Sequence, residues 1–308
     1  MTAIALGVHV LDVLVRPVET IPEGQGGELV DEIKITAAGS AGGAALTLAK
    51  LGARVRSAGA VGNDATGDML LRLLEQGGID TSLIVRRDGV PTSATVLPIR
   101  PNGDRPALHV IGANGAYGAD DAPLDAIAEA DFLHFGGPEF MGGEAAAGVL
   151  RHARESGAVT SADVLAPGDP GLLEWIGPAL PELDYLMPND EQVLGFTGAS
   201  DLEAGCRALV DRGVGCVAAT CGADGVLLVD ADEAVRVPAF EVEVVDTTGC
   251  GDSFVAGFLR GLSLGRSRRD AAVLGCAAAA LVATGLGSDA GSFDLAAADE
   301  FARATPTR

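Results

Sequence analysis

The stretch from residue 244 to residue 258, VVDTTGCGDSFVAGF, constrains the fold of the chain more than any other. Its β-branched start predicts the end of a strand, and Gly249 and Gly251 predict a tight turn. A helix is expected to begin at Asp252, because apolar residues follow it at helical spacing. A helix N-terminus offers unpaired backbone N–H groups and the positive end of the helix dipole. The stretch therefore predicts an anion site that a phosphate can approach closely.

Asp252 is expected to act as a base at this site. The helix N-terminus would hold its carboxylate ionised, yet a carboxylate repels the anion that it faces. A base that takes the proton from a hydroxyl attacking a phosphoryl group accounts for this arrangement. The N–H groups of Gly249, Cys250 and Gly251 would hold the charge that grows on the phosphoryl group. The alternative is a glycine-rich turn in which Asp252 only caps the helix.

Strands and helices alternate along most of the chain, which predicts a mainly parallel sheet covered on both faces. Two β-rich segments, 13–36 and 92–111, depart from this alternation. In the second, the residues 101–104 (PNGD) predict a hairpin turn between two strands. Arg100 and Arg105 flank this turn and are expected to be solvated; a clamp on an anionic substrate group is the alternative.

Charge and cysteine content restrict the partners and the compartment. The net charge of −22 argues against nucleic acid, whose binding rests on phosphate neutralisation. The five cysteines are odd in number and lack metal-ligand spacing, which predicts free thiols in a reducing compartment. The apolar N-terminus and the run 277–283 are too short to span a membrane, and no basic segment precedes the N-terminal run. We expect a cytoplasmic protein that binds neither nucleic acid nor membranes.

The segment DTTGCGDSF at residues 246–254 resembles the C-terminal signature of the ribokinase-like, or PfkB-type, carbohydrate kinases, DTxGAGDxF. It departs from the signature at Cys250, where alanine is usual. The resemblance covers nearly the whole chain and implies a three-layer α/β/α sandwich with a mainly parallel central sheet. It implies one domain, residues 1–308, with the segments 13–36 and 92–111 inserted as a small β-sheet lid. It also implies ATP-dependent phosphorylation of a sugar-like hydroxyl, with Mg²⁺ bridging the nucleotide phosphates.

Residues 38–52 resemble the glycine-rich sugar-binding motif of the family. Gly39 stands at a sugar-contact position of that motif, and Gly43 replaces its asparagine. The alternative is a close-packed junction between a strand and a helix. Asp12 matches a family aspartate that binds sugar hydroxyls, the alternative being a solvated turn residue. The resemblance thus implies substrate contacts at Asp12, Gly39, Gly43 and Asp252.

Several polar sugar contacts of ribokinase itself are missing from this chain. Val10 stands in place of one asparagine, Gly43 in place of another, and 136–137 (GG) in place of a glutamate, for which the nearby Glu139 is a possible substitute. A site that lacks such donors and acceptors cannot select for the oxygens of ribose. Ribose is therefore not expected to be the preferred acceptor.

The resemblance also implies a nucleotide site. Asn189 matches the family's PNxxE segment, in which Gln192 here replaces the glutamate, and residues 220–225 resemble a TxGxxG loop that packs on the nucleotide. The implied nucleotide contacts are Asn189, Thr220, Gly222, Gly225, Gly249, Gly251 and Cys276. A monovalent cation, K⁺, is implied at Asp246, Thr248 and Gly287.

Other interpretations remain open at this stage. The acceptor could be a nucleoside, or the chain could be a sugar or nucleotide sensor without activity, although the intact Asp252 argues against a sensor. A dinucleotide-dependent oxidoreductase is disfavoured because no GxGxxG follows the first strand, and a P-loop kinase because GxxxxGK[ST] is missing. The outer apolar face of the lid, with Ile33 and Val96, predicts a homodimer.

Overall fold

The computed structural model describes residues 1–101 and 104–308, so Asn102 and Gly103 of the predicted hairpin turn lie outside the described residues. The chain forms a nine-stranded sheet, flanked by helices, and a separate four-stranded sheet. The strands are β1 (Thr2–Gly7), β2 (Val10–Arg16), β3 (Glu32–Ala38), β4 (Arg54–Gly62), β5 (Asp80–Arg87), β6 (Ala94–Pro98), β7 (Leu108–Val110), β8 (Phe132–Gly136), β9 (Val159–Asp163), β10 (Tyr185–Leu186), β11 (Cys216–Thr220), β12 (Val226–Asp230) and β13 (Ala234–Val237). The α-helices are α1 (Ser40–Lys50), α2 (Ala65–Gln76), α3 (Leu124–Ala128), α4 (Gly143–Glu155), α5 (Pro170–Ile176), α6 (Asp190–Thr197), α7 (Leu202–Asp211), α8 (Cys250–Ser263), α9 (Arg268–Ala283) and α10 (Leu295–Ala304).

The large sheet has the strand order β13-β12-β11-β10-β9-β8-β1-β4-β5. In this spatial order, the seven strands that begin with β11 and end with β5 pair in parallel. At one edge, β12 pairs antiparallel with both β11 and β13. Successive side chains of a strand point to opposite faces, so Ile4 and Leu6 enter one hydrophobic core and Ala3 and Ala5 the other. The expected mainly parallel sheet with helices on both faces is confirmed.

The small sheet joins the two β-rich segments, because β2 and β6 pair with each other in the strand order β3-β2-β6-β7. One row of apolar side chains crosses all four strands. Val13 lies opposite both Ile35 and Val96, and Val96 lies opposite Leu108. Ile35, Val96 and Leu108 are exposed, so this sheet has an apolar outer face.

Small residues let helices α1, α8 and α9 pack closely beside the sheet. A Cβ atom on Gly257 of α8 would lie 2.7 Å from the Cα of Gly275 in α9. Helix α1 is rich in Gly and Ala and is buried from Ser40 to Leu48. Because α1 packs against α8, the N-terminus of α8 lies beside the glycine-rich start of α1.

Two local expectations for the stretch 244–258 are corrected. Val244 and Val245 do not belong to a strand; they are exposed, and the backbone N–H of Val245 donates to the carbonyl of Ala283. Helix α8 begins at Cys250, two residues earlier than the apolar spacing indicated. The β-branched pair suggested a strand because its propensity is local, whereas strand pairing depends on a neighbour that this segment lacks among the described residues.

Within the described part of the chain, no helix combines the length and the apolar character needed to cross a membrane.

Candidate active site

The N-terminus of helix α8 is shaped by two glycines. Gly249 has a φ of 78° and caps the helix, and a Cβ there would lie 2.6 Å from the Cα of Ser288. Gly251 is exposed, and a Cβ on it would meet no atom within 4 Å. The N–H of Cys250 donates to the carbonyl of Thr247 at 3.3 Å, so it is less available than the sequence suggested. The first turn of α8 therefore lies open at Gly251.

Cys250 is a structural thiol at this turn. Its Sγ lies 3.6 Å from the carbonyl oxygen of Ala279, to which it donates. Burial, with smaller contributions from the charges of Asp246 and Asp252, raises the pKa of the Cys250 thiol to about 12. The thiol is therefore neutral at physiological pH and replaces alanine without adding a charge.

Asp252 lies in the first turn of α8 with its carboxylate against helix α1. A Cβ on Gly43 would lie 2.2 Å from Asp252 Oδ2. Burial, and next the charge of Asp12, raise the pKa of Asp252 to about 7. The helix N-terminus was expected to hold this carboxylate ionised; burial instead disfavours the ionised form and raises its pKa. At neutral pH Asp252 is poised between its acid and base forms.

Asp12 shares the cleft with Asp252. It lies on β2 of the small sheet, is almost fully buried, and so is not a solvated turn residue. Burial raises its pKa to about 6, a hydrogen bond from Thr95 lowers it, and the charge of Asp246 raises it again. The small sheet thus brings a second carboxyl group to the site.

Gly39 and Gly43 stand at the start of helix α1 for different physical reasons. Gly39 has a φ of 86°, and a Cβ there would lie 2.6 Å from the carbonyl oxygen of Val8. Its own carbonyl accepts from the N–H of Gly43 at 2.6 Å. Gly39 is required by its backbone conformation, whereas Gly43 leaves the space that the Asp252 carboxylate occupies.

Two further carboxyl groups lie in this region. Asp163 ends β9, and burial together with the charges of Asp252 and Glu139 raises its pKa well above the usual value. The Oε1 atom of Glu139 accepts from the N–H groups of Leu165 and Ala166, and burial raises the pKa of this group. Sequence reasoning noted Glu139 but missed Asp163. The available signal was an acid at the C-terminal end of a predicted parallel strand, where ligands of open α/β sheets bind.

Two of the residues predicted to contact nucleotide, Asn189 and Thr220, meet at the C-terminal ends of β10 and β11. Asn189 and Thr220 form a bridge between the two chain segments. Asn189 Oδ1 accepts from the N–H of Gln192, and Gln192 Oε1 accepts from the N–H of Asn189. Gln192 therefore closes a capping box at the start of α6, a role that explains its place without any metal.

The loop between β11 and β12 lies next to helix α9. Gly222 has a φ of 54° and faces open space, whereas a Cβ on Gly225 would lie 2.1 Å from the carbonyl oxygen of Val237. Gly225 is therefore needed for packing. Cys276 of α9 is buried, and burial, followed by the proximity of the Cys221 thiol in the loop, raises the pKa of the Cys276 thiol to about 12.

Asp246, Thr248 and Gly287 lie together beside the α8 turn. Asp246 Oδ1 accepts from the N–H of Thr248 at 3.0 Å and from its hydroxyl at 2.8 Å. Asp246 Oδ2 accepts from the N–H of Gly287 at 2.9 Å. Arg105 reaches the same place and donates to Thr248 Oγ1, so it is not a solvated turn residue.

Two buried histidines lie near these groups, His9 between β1 and β2 and His134 within β8, where its Nε2 lies 3.7 Å from Asp163 Oδ1. Burial lowers the pKa of His9 to about 4 and that of His134 to about 3, so both rings are neutral at physiological pH. His9 Nδ1 bonds the carbonyl of Gly7, and His134 Nδ1 bonds Ser161 Oγ.

Comparison with known proteins places the chain among kinases. Residues 6–294 match the pfkB family carbohydrate kinase profile. The chain is 30% identical over 266 residues to a deoxyribokinase of Salmonella typhi, and the aligned region covers 84% of each chain. It is similar to the crystal structure of a ribokinase from Thermotoga maritima, with 25% identity, 98% and 99% coverage and a TM-score of 0.80. A structure of Arabidopsis thaliana ribokinase complexed with ribose and ATP has the same fold at 22% identity, with a TM-score of 0.83 and 98% coverage of both chains.

Proposed function

Since the chain belongs to the pfkB family of carbohydrate kinases, and is thus a phosphotransferase acting on sugars, we propose that Asp252 is the base of an ATP-dependent kinase for a neutral sugar or nucleoside. The observation that carries this proposal is the Asp252 carboxylate at the open first turn of α8, with a pKa raised to about 7. A base with such a pKa accepts a proton effectively at neutral pH. The adjacent helix N-terminus suits the phosphoryl group that receives the hydroxyl oxygen.

The acidic surroundings favour an uncharged acceptor. The cleft is rich in carboxyl groups. They interact electrostatically in neighbouring pairs, namely Asp12 with Asp252, Asp252 with Asp163, and Asp163 with Glu139. An anionic sugar would be repelled, whereas the hydroxyls of a polyol donate well to carboxylates. We place Asp12 on the acceptor hydroxyls, with Gly39 providing the backbone turn that begins α1 beside them.

The acceptor we favour is a deoxy sugar or a nucleoside rather than ribose. No polar side chain stands at residues 10 and 43, and the Asp252 carboxylate fills the space beside Gly43. The similar deoxyribokinase of Salmonella typhi, by its name, acts on deoxyribose, which has one hydroxyl fewer than ribose. A site without these donors discriminates weakly among sugars.

ATP would lie across the C-terminal ends of β10 and β11, with Asn189, Thr220, Gly222 and Cys276 on its path toward the α8 turn. Gly225 would support the loop by packing.

Within the described residues no cluster of three His, Cys, Asp or Glu side chains is arranged to hold a metal. Mg²⁺ does not need such a cluster, because it is usually held by substrate phosphates, water and one or two carboxylates. Asp190 and Glu191, in the first turn of α6, are the carboxylates that we propose for this contact. Bound there, Mg²⁺ would neutralise phosphate charge.

In the proposed reaction, Asp252 positions the acceptor hydroxyl and takes its proton as the oxygen attacks the γ-phosphorus of ATP. The bond between the γ-phosphorus and the bridging oxygen breaks, and ADP leaves with its electron pair. The N–H groups of Gly251 and Gly249 stabilise the charge on the transferred group, with a weaker contribution from Cys250. The small sheet acts as a lid that keeps water out while Asp12 holds the acceptor.

We further propose that the lid mediates a homodimer. The exposed apolar row through Ile35, Val96 and Leu108 offers a flat face that a second copy of the same sheet would cover. A twofold axis would bring identical faces together, as symmetric dimers require.

A coupled ADP-release assay over a panel of 2-deoxyribose, ribose, fructose and adenosine tests the kinase proposal. We expect acceptor-dependent ADP release, with ribose not the best acceptor. ATP binding by thermal shift without acceptor-dependent ADP release over a broad panel of sugars and nucleosides would favour the sensor instead. The highest kcat/KM for ribose would refute the acceptor assignment.

A further inference from the structure

Asp246 is a buried carboxylate that needs a positive partner. Its side chain is 2% exposed. Both oxygens accept from neutral donors, namely Thr248 and the N–H of Gly287. Neutral donors reduce the cost of burying a negative charge but leave the charge itself in place. A cation close to Asp246 is therefore expected on physical grounds.

Arg105 supplies that cation from the lid. Its Nη1 atom lies 3.7 Å from Asp246 Oδ1 and also donates to Thr248 Oγ1. Among the described residues, Arg105 is the one basic group that forms an ion pair with Asp246. The same guanidinium lowers the pKa of Asp12, so its charge acts on the acceptor site as well.

The neighbouring loop offers few free oxygens to any other cation. Lys34 Nζ donates to the carbonyl of Leu286 at 2.6 Å. Lys50 Nζ donates to the carbonyls of Asp289, Ala290 and Gly291 at 2.7 to 2.9 Å. Gly287 presents its N–H to Asp246, and its carbonyl accepts from the N–H of Ala290. These carbonyl oxygens and the Asp246 carboxylate thus already accept from N–H donors and ammonium groups.

We infer that the Arg105 guanidinium serves as the internal cation of this enzyme, in place of a bound monovalent metal ion at Asp246. The residues do not fit the K⁺ site that the sequence resemblance implied, because K⁺ and Arg105 cannot both lie against one carboxylate without repelling each other. Arg105 also ties the lid to the turn before α8. When the lid is closed, its Arg105 therefore also balances the negative charge of Asp246 beside the anion site.

Melting temperatures in KCl and in tetramethylammonium chloride, at equal ionic strength, test this inference on the whole chain. The wild type is expected to melt at the same temperature in both salts. Arg105→Ala empties the place beside Asp246, so K⁺ should raise its melting temperature saturably, by roughly 2 °C. Arg105→Lys keeps a cation and should behave like the wild type. Arg100→Ala, on the same hairpin, is the matched control and should also show no difference between the salts.

The acceptor-dependent rate in the two salts is a second measurement, and only this part rests on the proposed kinase reaction. We expect K⁺ to raise the rate of Arg105→Ala but not that of the wild type. The inference fails if the wild type gains a saturable K⁺-specific rise in melting temperature, or if Arg105→Ala gains none. If Arg105→Ala does not fold, the neutral Arg105→Gln takes its place. The expected melting pattern without kinase activity would refute the proposed function and leave the internal cation standing.

Discussion

Gly43→Ala is the substitution that most directly tests the placement of Asp252. The added Cβ would lie 2.2 Å from Asp252 Oδ2, 2.8 Å from its Cγ and 2.9 Å from its Cβ. An ordinary contact begins near 3.4 Å, so the carboxylate oxygen must move by about 1 Å. Misplacing a reacting group by 1 Å costs on the order of 100-fold in rate. We expect kcat to fall by about that factor.

Gly43→Ala should also lower the stability of the protein. Alanine inside a helix is favoured over glycine by about 0.5–1 kcal/mol. The contact of 2.9 Å with Asp252 Cβ cannot be relieved by a change of rotamer, so α1 and α8 must move slightly apart. Such overpacking typically costs about 1–3 kcal/mol, so the variant should melt below the wild type, and activity is compared well below its melting temperature.

Gly42→Ala is the matched control, one residue earlier on the same helix. Its Cβ would lie 3.5 Å from His9 Cδ2, an ordinary contact, and would not touch Asp252. Steady-state kcat and KM for the acceptor, together with melting temperature, are measured for both variants. The reasoning is refuted if Gly43→Ala keeps wild-type kcat/KM, or if Gly42→Ala loses as much activity.

Four further outcomes follow from the same site. Asp252→Asn should lower kcat roughly 100-fold or more with ATP binding kept, and wild-type turnover would disprove the base. Since the pKa of Asp252 is raised to about 7, kcat/KM should rise with pH through that value. Because the folded state binds the extra proton, stability should fall as pH rises from about 4 to 7. Asp252→Asn should weaken this dependence in melting curves, and the raised pKa values of Asp12 and Asp163 account for what remains. Asp12→Ala should raise the acceptor KM and cost about 1–3 kcal/mol in kcat/KM; an unchanged value would refute the contact. Val96→Asp should turn a dimer into a monomer in sedimentation, and a monomeric wild type at micromolar concentration would exclude the dimer.

Local sequence patterns predicted the large features of this fold, because the type of secondary structure depends strongly on residues that are neighbours along the chain. The alternation of strands and helices indicated the parallel sheet. Helix capping is equally local, since Asp64 accepts from the N–H of Gly67, three residues later, at the start of α2. The β-branched pair Val244-Val245 misled for the same reason, since propensity says nothing about whether a neighbouring strand is present.

The sequence by itself determined the glycine turn, the aspartate in the first turn of α8 and the family signature, because these lie within one short segment. Only the tertiary structure decided that Asp252 lies against Gly43 and that its charge raises the pKa of Asp163. It also decided that Arg105 reaches Asp246 from the lid. Burial and charge act through space between groups far apart in the chain, so no local pattern reveals their sign. The helix dipole predicted an ionised Asp252, and burial in the folded protein raised its pKa instead.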